Sequence, residues 1–261
     1  MIYILIVIAI YITAGFLYSI RSKVTTYNIK SKKIKRSYKF LFISDYHSNS
    51  ALGILENLKD NLKNTDAIFL GGDIIDDKPD SYKINELVDI IENVPTFYVT
   101  GNHEIRRTDL DVVLEYMSKY STVLSRKNSP QVLEELNIYG VDDLAVNYDD
   151  YLYSLADFKS RIDKKKFNIL LVHRPEDLEK FADVGFDLVL SGHVHAGHIR
   201  FLFLGGLMGP GQGLFPKYQY GEYQVGNTRM FLTSGATKKR YVTPRFYNKA
   251  EVVIINLTEE I

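Results

Sequence analysis

Leu70-Gly71-Gly72-Asp73-Ile74-Ile75-Asp76 closes an apolar run, Ala67-Ile68-Phe69-Leu70, that reads as a short buried strand. Two glycines then let the backbone turn sharply, which delivers the carboxylate of Asp73 at the strand's end. By itself, a Gly-Gly-Asp turn between a strand and a helix explains the stretch. The same grammar, an apolar strand followed at once by a polar side chain, recurs four more times. Lys39-Phe40-Leu41-Phe42-Ile43 leads to Asp45 and His47, and Thr96-Phe97-Tyr98-Val99 leads to Asn102, His103 and Glu104. Phe167 to Val172 leads to His173, and Asp187-Leu188-Val189-Leu190 leads to His193 and His195.

Between these strands run helical periodicities. Leu55, Leu58 and Leu62 mark a helix over 52–63; Ile84, Leu87, Val88 and Ile91 mark one over 81–93. Leu110, Val113, Leu114 and Met117 mark a third, and Leu152, Leu155, Phe158 and Ile162 a fourth. Asn137 to Val141, Phe231 to Thr233 and Val252 to Ile255 read as further strands. Strand-helix alternation argues for an α/β layered fold, with functional groups at the carboxyl ends of the strands.

The 261 residues suit one α/β domain, and 46% hydrophobic with 25% charged residues is ordinary globular composition. A formal net charge of +0 gives no support for nucleic-acid binding. Without cysteine there are no disulfides and no thiolate sites, so any metal is held by nitrogen and oxygen. Phosphate-loop, His-Glu-x-x-His and Gly-x-Ser-x-Gly patterns are absent from the sequence.

Asp45, His47, Asp73, Asn102, His173, His193 and His195 are the candidate ligands. Five of the six histidines fall just after an apolar strand, and the sixth, His198, is three residues from His195. In extended backbone the i,i+2 spacing of Asp45 with His47, and of His193 with His195, puts both side chains on one side. Imidazole plus carboxylate suits manganese, iron or zinc better than magnesium or calcium alone.

These blocks resemble the signature of the calcineurin-like metallophosphoesterases: Asp45-x-His47, Gly72-Asp73-x-x-Asp76, Gly101-Asn102-His103-Glu104, His173 and Gly192-His193-x-His195. The spacings agree, with twenty-five residues from His47 to Gly72 and from Asp76 to Gly101. The resemblance covers roughly Phe40 to Leu257 and is similar in kind to the membrane-associated branch, YkuE-type phosphoesterases and lipid A precursor pyrophosphohydrolases. It implies a four-layer αββα sandwich of two mixed β-sheets flanked by helices. It further implies two divalent cations, manganese first and iron or zinc as alternatives. Asp45, His47 and His195 would hold one and Asn102, His173 and His193 the other, with Asp73 bridging. His103 would protonate the leaving group; Asp76 would either orient His103 or act as a plain helix-start carboxylate; Glu104 reads as structural. The implied activity is hydrolysis of a phosphodiester, phosphomonoester or pyrophosphate. Asp76 stands where purple acid phosphatases carry tyrosine, which argues against an iron-tyrosinate centre. Ala196-Gly197-His198 departs from the branch's Gly-Gly-Gln. His198 is therefore an extra substrate contact, a spare outer ligand or a tolerated surface change.

Two segments bear on substrate and location. Residues 2–20 carry no charged side chain, close to the roughly 20 residues that span a bilayer. No convincing signal-cleavage site precedes the charges. Residues 1–22 are therefore expected to be a transmembrane anchor, 23–37 a basic linker and 38–261 the domain. That arrangement predicts a single-pass protein of the cell membrane, with either face holding the domain. Phe201 to Pro216 is apolar and glycine-rich, either a hairpin packed on the sheet or an apolar lip for a lipid-linked substrate. Soluble nucleotides or cyclic nucleotides are the competing substrates. A non-catalytic scaffold of the same fold is the remaining alternative, disfavoured because all seven ligand positions and His103 are present.

Overall fold

The computed structural model describes residues 1–78, 84–240 and 243–260. After helix α1 (Ile2–Tyr18), the first half supplies β1 (Lys23–Ser31), β2 (Tyr38–Ile43), α2 (Ile54–Asn61), β3 (Ala67–Leu70), α3 (Asn85–Ile91), β4 (Thr96–Tyr98), α4 (Asn102–Ile105), α5 (Leu110–Ser118) and β5 (Thr122–Val123). The second half brings β6 (Gln131–Leu133), β7 (Leu136–Gly140), α6 (Tyr148–Arg161), β8 (Phe167–Leu171), α7 (Leu178–Val184) and β9 (Leu188–Ser191). Two miniature hairpins follow, β10 (Arg200–Phe201) with β11 (Gly205–Gly206) and β12 (Met208–Gly209) with β13 (Gly213–Leu214). Then come β14 (Gly221–Val225), β15 (Thr228–Leu232), the pair β16 (Lys239–Arg240) and β17 (Thr243–Pro244), and the closing strand β18 (Glu251–Glu259). The expected helix over 81–93 is seen as α3; positions 81–83 lie outside the described residues.

Two six-stranded mixed sheets result, ordered β1-β18-β2-β3-β4-β5 and β14-β15-β9-β8-β7-β6. The period-2 alternation of each strand explains how they stack. Phe40 and Phe42 of β2 join Phe69, Ile169, Leu188 and Leu190 in a core between the sheets. Their neighbours Leu41 and Ile43 turn outward, to Leu58, Leu87, Ile91 and Val113 on α2, α3 and α5. On the far side, Leu170, Val189 and Met230 pack on Tyr151, Phe158 and Phe181 from α6 and α7. The molecule is thus a mixed α/β sandwich with helices on both outer faces.

The N-terminal expectations need correction. Among the described residues no helix is long and apolar enough to cross a membrane, so the single-pass cell-membrane assignment does not hold. The 17 residues of α1 rise about 26 Å, short of a hydrocarbon core of about 30 Å. Its last turns are instead stapled to the domain. Gly15 lies so close to Phe246 that a Cβ there would fall 2.3 Å from the ring. Tyr247 donates its N–H to the Gly15 carbonyl at 3.0 Å and its hydroxyl to the Tyr11 carbonyl at 3.1 Å. Most of the remaining apolar side chains of α1 are exposed.

Residues 23–31, expected as linker, form β1, which pairs in parallel with β18 along its whole length. Thr25, Tyr27 and Ile29 alternate inward, and Tyr27 stacks on Phe231 at 4.0 Å. The basic residues are engaged within the domain too. Lys33 pairs with Asp187 at 2.7 Å, and Arg36 with Asp66 at 2.9 Å and Glu134 at 2.7 Å.

Candidate metal centre

Parallel strands place the candidate ligands together. β2, β3 and β4 run side by side and end at the same edge of one sheet; β8 and β9 end at the matching edge of the other. The loops beyond them are cross-held by backbone. Asp45 N–H donates to Gly72 carbonyl at 3.0 Å, His47 N–H to Asp73 carbonyl at 2.9 Å, and Gly192 N–H to His173 carbonyl at 3.0 Å. The Asp45 carboxylate in turn accepts the His193 N–H, which ties the two sheets at the site.

Of the metal-capable groups among the described residues, two hold the candidate ligands, and His47, Asp73 and His103 form a third that overlaps them. Asp45, His47 and His195 form one, with the Nε2 atoms of the two histidines 3.4 Å apart and His195 Nε2 at 3.4 Å from Asp45 Oδ1. Asp73, His173 and His193 form the other, with His173 Nε2 at 3.3 Å from Asp73 Oδ2 and at 3.2 Å from His193 Nδ1. Asp73 Oδ2 also stands 3.7 Å from His47 Nε2, so one carboxylate oxygen faces both groups. All six residues are buried.

The donor chemistry fits divalent cations. Asp73 Oδ2 and both side-chain amide atoms of Asn102 are buried without a hydrogen bond, a costly state unless another partner takes them. His173 Nδ1 lies 2.8 Å from the Gly71 carbonyl, a contact that presents Nε2 to the interior. The backbone is strained at the same place. Asp45, His47, Asp73, His193 and His195 all have positive φ, between 49° and 71°. Five of seven candidate ligands thus hold a conformation that L-residues rarely adopt. Gly192 is required by proximity, since a Cβ there would fall 2.0 Å from Ser44 Oγ and 2.5 Å from Asp45 Oδ2.

Electrostatics follow from burial and pairing. Burial alone would raise Asp73, but His173, His47 and His103 around it hold it well below the usual carboxylate range. Burial would lower His173; Asp73 overcomes this and pushes the imidazole up to about 10. Asp45 goes the other way, raised by burial despite His173 nearby. His103 is fully buried, with Nδ1 at 2.9 Å from Asp76 Oδ1 and 3.3 Å from Asp77 Oδ2, and Nε2 at 4.0 Å from Asp73 Oδ2. Burial would raise Asp76 as well, yet its hydrogen bonds with His103 and His47 hold it far below the usual range.

Other residues matter that the sequence did not single out as functional. Glu104 is fully buried and accepts four backbone N–H groups, from Asp73 at 3.0 Å, Ile74 at 2.6 Å, Ile75 at 2.9 Å and Gly101 at 2.9 Å. Its role is structural, and what it shapes is the Asp73 turn itself. Arg174 sits with Nη1 at 2.9 Å from His193 Nε2 while Nε donates to Asp143 at 2.8 Å. Its adjacency to His173 is the only signal the sequence offers. Asn248 donates to the carbonyls of His195 at 2.7 Å and His198 at 3.0 Å. The His198 ring stacks on His195 at 4.6 Å but belongs to neither metal-capable group. The 201–216 stretch forms the two short hairpins, with Leu202, Phe203 and Leu204 exposed at a tip.

The chain is also similar to known proteins. A sequence profile of the calcineurin-like phosphoesterases matches residues 38–197. An uncharacterized metallophosphoesterase of Campylobacter jejuni is 33% identical over 247 residues, covering 90% of this chain and 63% of that protein. The chain therefore spans under two thirds of that relative's length. The uncharacterized metallophosphoesterase YkuE of Bacillus subtilis is 31% identical over 251 residues, 89% of this chain and 84% of that one. The phosphopantetheinyl hydrolase structure from Mycobacterium tuberculosis overlays with a TM-score of 0.46 at 12% identity, over 82% of this chain and 96% of that one.

Proposed function

We propose that this chain, which belongs to the calcineurin-like phosphoesterase family, hydrolyses a phosphoester or phosphoanhydride bond at a dinuclear centre. The observation that carries the reading is Asp73 Oδ2, buried, without a hydrogen bond, and facing His47 on one side and His173 on the other. Asp45, His47 and His195 would hold one cation and Asn102, His173 and His193 the other, with Asp73 shared. Manganese is the first choice to test, with iron or zinc as alternatives, since a mixed imidazole and carboxylate set can hold each of them. When bound, such a pair supplies Lewis-acid polarisation of phosphoryl oxygens and activation of water near neutral pH.

The chain's own groups supply position and protons. Glu104 fixes the turn that aims Asp73. Asp76 accepts from Nδ1 of His103 and so orients the ring, leaving Nε2 toward the Asp73 side. From there His103, protonated, passes a proton to the leaving oxygen as its bond to phosphorus breaks.

The test uses the full chain, stripped of metal and reloaded singly with manganese, zinc, iron or magnesium, acting on an aryl phosphodiester and the matching monoester. Manganese should restore turnover, and His103→Ala should lower it by about 10²–10⁴-fold. Turnover that survives His103→Ala intact would overturn its role as acid. A lipid-linked leaving group is a second reading, favoured by the exposed Leu202, Phe203 and Leu204 hairpin tip. Equal turnover of lipid-linked diphosphates in wild type and in Phe203→Ser would remove that support, and faster turnover of soluble nucleotides would favour the competing substrates.

A further inference from the structure

A polar cavity lies at the base of α1, bordered by Ala196 next to His195 but lined by none of the seven candidate ligands. It encloses about 100 Å³ and is lined by Lys23, Arg200 and Lys249 with Tyr18, Tyr220, Tyr247 and Asn248 among others. Three cations thus meet in a small space. One carboxylate answers them, Glu251, which is fully buried at the start of β18.

Glu251 is already saturated. It accepts from Thr25 Oγ1 at 2.7 Å, Tyr220 hydroxyl at 3.0 Å, Thr233 Oγ1 at 3.0 Å and Ser234 N–H at 2.9 Å, and pairs with Lys23 at 3.4 Å. Lys23 is further occupied by Tyr220, whose hydroxyl is 2.5 Å from its ammonium. Arg200 gives one N–H to the Ala196 carbonyl at 2.9 Å, and Lys249 lies over the Tyr18 ring at 4.6 Å. Among the described residues, neither Arg200 nor Lys249 forms an ion pair. Partial negative charge at the carboxyl end of α1 favours cations here but is no substitute for a counterion. Burial pushes the Arg200 guanidinium down, by more than Tyr220, Tyr223 and Glu251 nearby restore.

Three positive charges against one saturated negative leave two unanswered beside an open space, while tyrosine hydroxyls and a backbone-braced Asn248 line the rest. A doubly charged oxyanion satisfies that deficit, and guanidinium plus ammonium is a donor set matched to phosphate oxygens. We infer that Lys23, Arg200 and Lys249 form an anion-binding site for a phosphomonoester-type group, distinct from the metal centre. The site goes beyond the proposed hydrolysis and does not depend on it. Asn248 links the two places, since its amide holds the carbonyls of His195 and His198. The anion can come from a free phosphate or from a phospholipid headgroup, because the exposed apolar face of α1 rises directly from the cavity rim at Tyr18.

The test is an equilibrium titration of inorganic phosphate on the manganese-loaded full chain. Two equivalents are expected per chain. Arg200→Gln should weaken one of them by about tenfold or more, and Lys249→Gln the same one, because each removes a charge-assisted contact. Asp73→Asn should remove only the other, so failure of the metal-centre reading shows separately. Lys249 is partly buried and its ammonium has a ring contact with Tyr18, so its replacement should leave the fold intact even if Arg200→Gln melts early. Wild-type affinity at both equivalents in Lys249→Gln, or a single equivalent unaffected by Arg200→Gln, would overturn the site. Repeating the titration with monomeric dihexanoyl phosphatidic acid assigns the source. Tighter binding than phosphate points to a lipid headgroup, and equal binding to a free phosphate.

Discussion

The ligand edge and the N-terminal helix are opposite ways of attaching functional surface to the same sandwich. At the ligand edge five strands end together, all seven candidate ligands are buried, and backbone hydrogen bonds cross-hold loops from both sheets. α1 instead touches the domain through its last turns, with Gly15 against Phe246 and Ser19 Oγ accepting the Asn248 N–H at 2.9 Å, while the rest stands exposed. The contrast teaches where a substitution spreads. In the edge a single atom has several dependents, whereas in α1 the contacts are few and nearly independent.

The harshest test of that contrast is Asp73→Asn, which removes the charge that faces both metal-capable groups. Turnover in the reloaded enzyme should fall by about 10³-fold or more, and metal content should drop when it is measured by elemental analysis. A variant that keeps both metals and near-native turnover would break the shared-carboxylate reading. Glu104→Gln comes next. An amide nitrogen cannot accept the N–H groups that one carboxylate oxygen now takes, so the loss should be about 3 kcal/mol in a denaturant titration. Turnover should fall as well, though less than for Asp73→Asn, because the Asp73 charge remains.

Smaller in effect is the proton linkage. His173, raised to about 10 by Asp73, must lose its proton before it can ligate. Apparent manganese affinity should therefore climb between pH 7 and 9, by up to about tenfold per unit, with proton release measurable by calorimetry in two buffers. In the metal-free chain the sign is reversed. A raised imidazole stabilises fully below its ordinary 6.5, and that gain fades as the pH rises through about 10. A manganese affinity independent of pH would show that the Asp73–His173 pair does not hold a proton.

The smallest effect is expected at α1. Gly15→Leu places side-chain atoms where the Phe246 ring already sits, so the helix should detach. Proteolysis near Arg21 should speed up while the main unfolding midpoint moves by only about 1–2 °C. A large drop in that midpoint would mean α1 is part of the cooperative core, and the contrast between the two regions would fail.

Much of the ligand edge is legible in the sequence. Asp45, His47, Asp73, His173, His193 and His195 stand out because few residues other than ligands place acids and imidazoles straight after buried strands. The role of Glu104 is hidden there, because its four partners are backbone N–H groups that leave no mark on side-chain pattern. Arg200 and Lys249 are equally silent, lying 49 positions apart and meeting only across the fold. The basic run from Lys30 to Arg36 at the end of β1 masks the Thr25, Tyr27, Ile29 alternation, so a strand reads as a linker, and a strand's partner cannot be seen from one strand.

What the sequence alone determined is the order of strands and candidate ligands, hence the imidazole and carboxylate donors gathered at the edge, since those properties reside in residue type and local periodicity. Only the tertiary structure decided the fate of the first 37 residues. An apolar helix and a basic strand carry no statement of what they pack against. That choice went to Phe246, Tyr247 and β18, contributed from the far end of the chain.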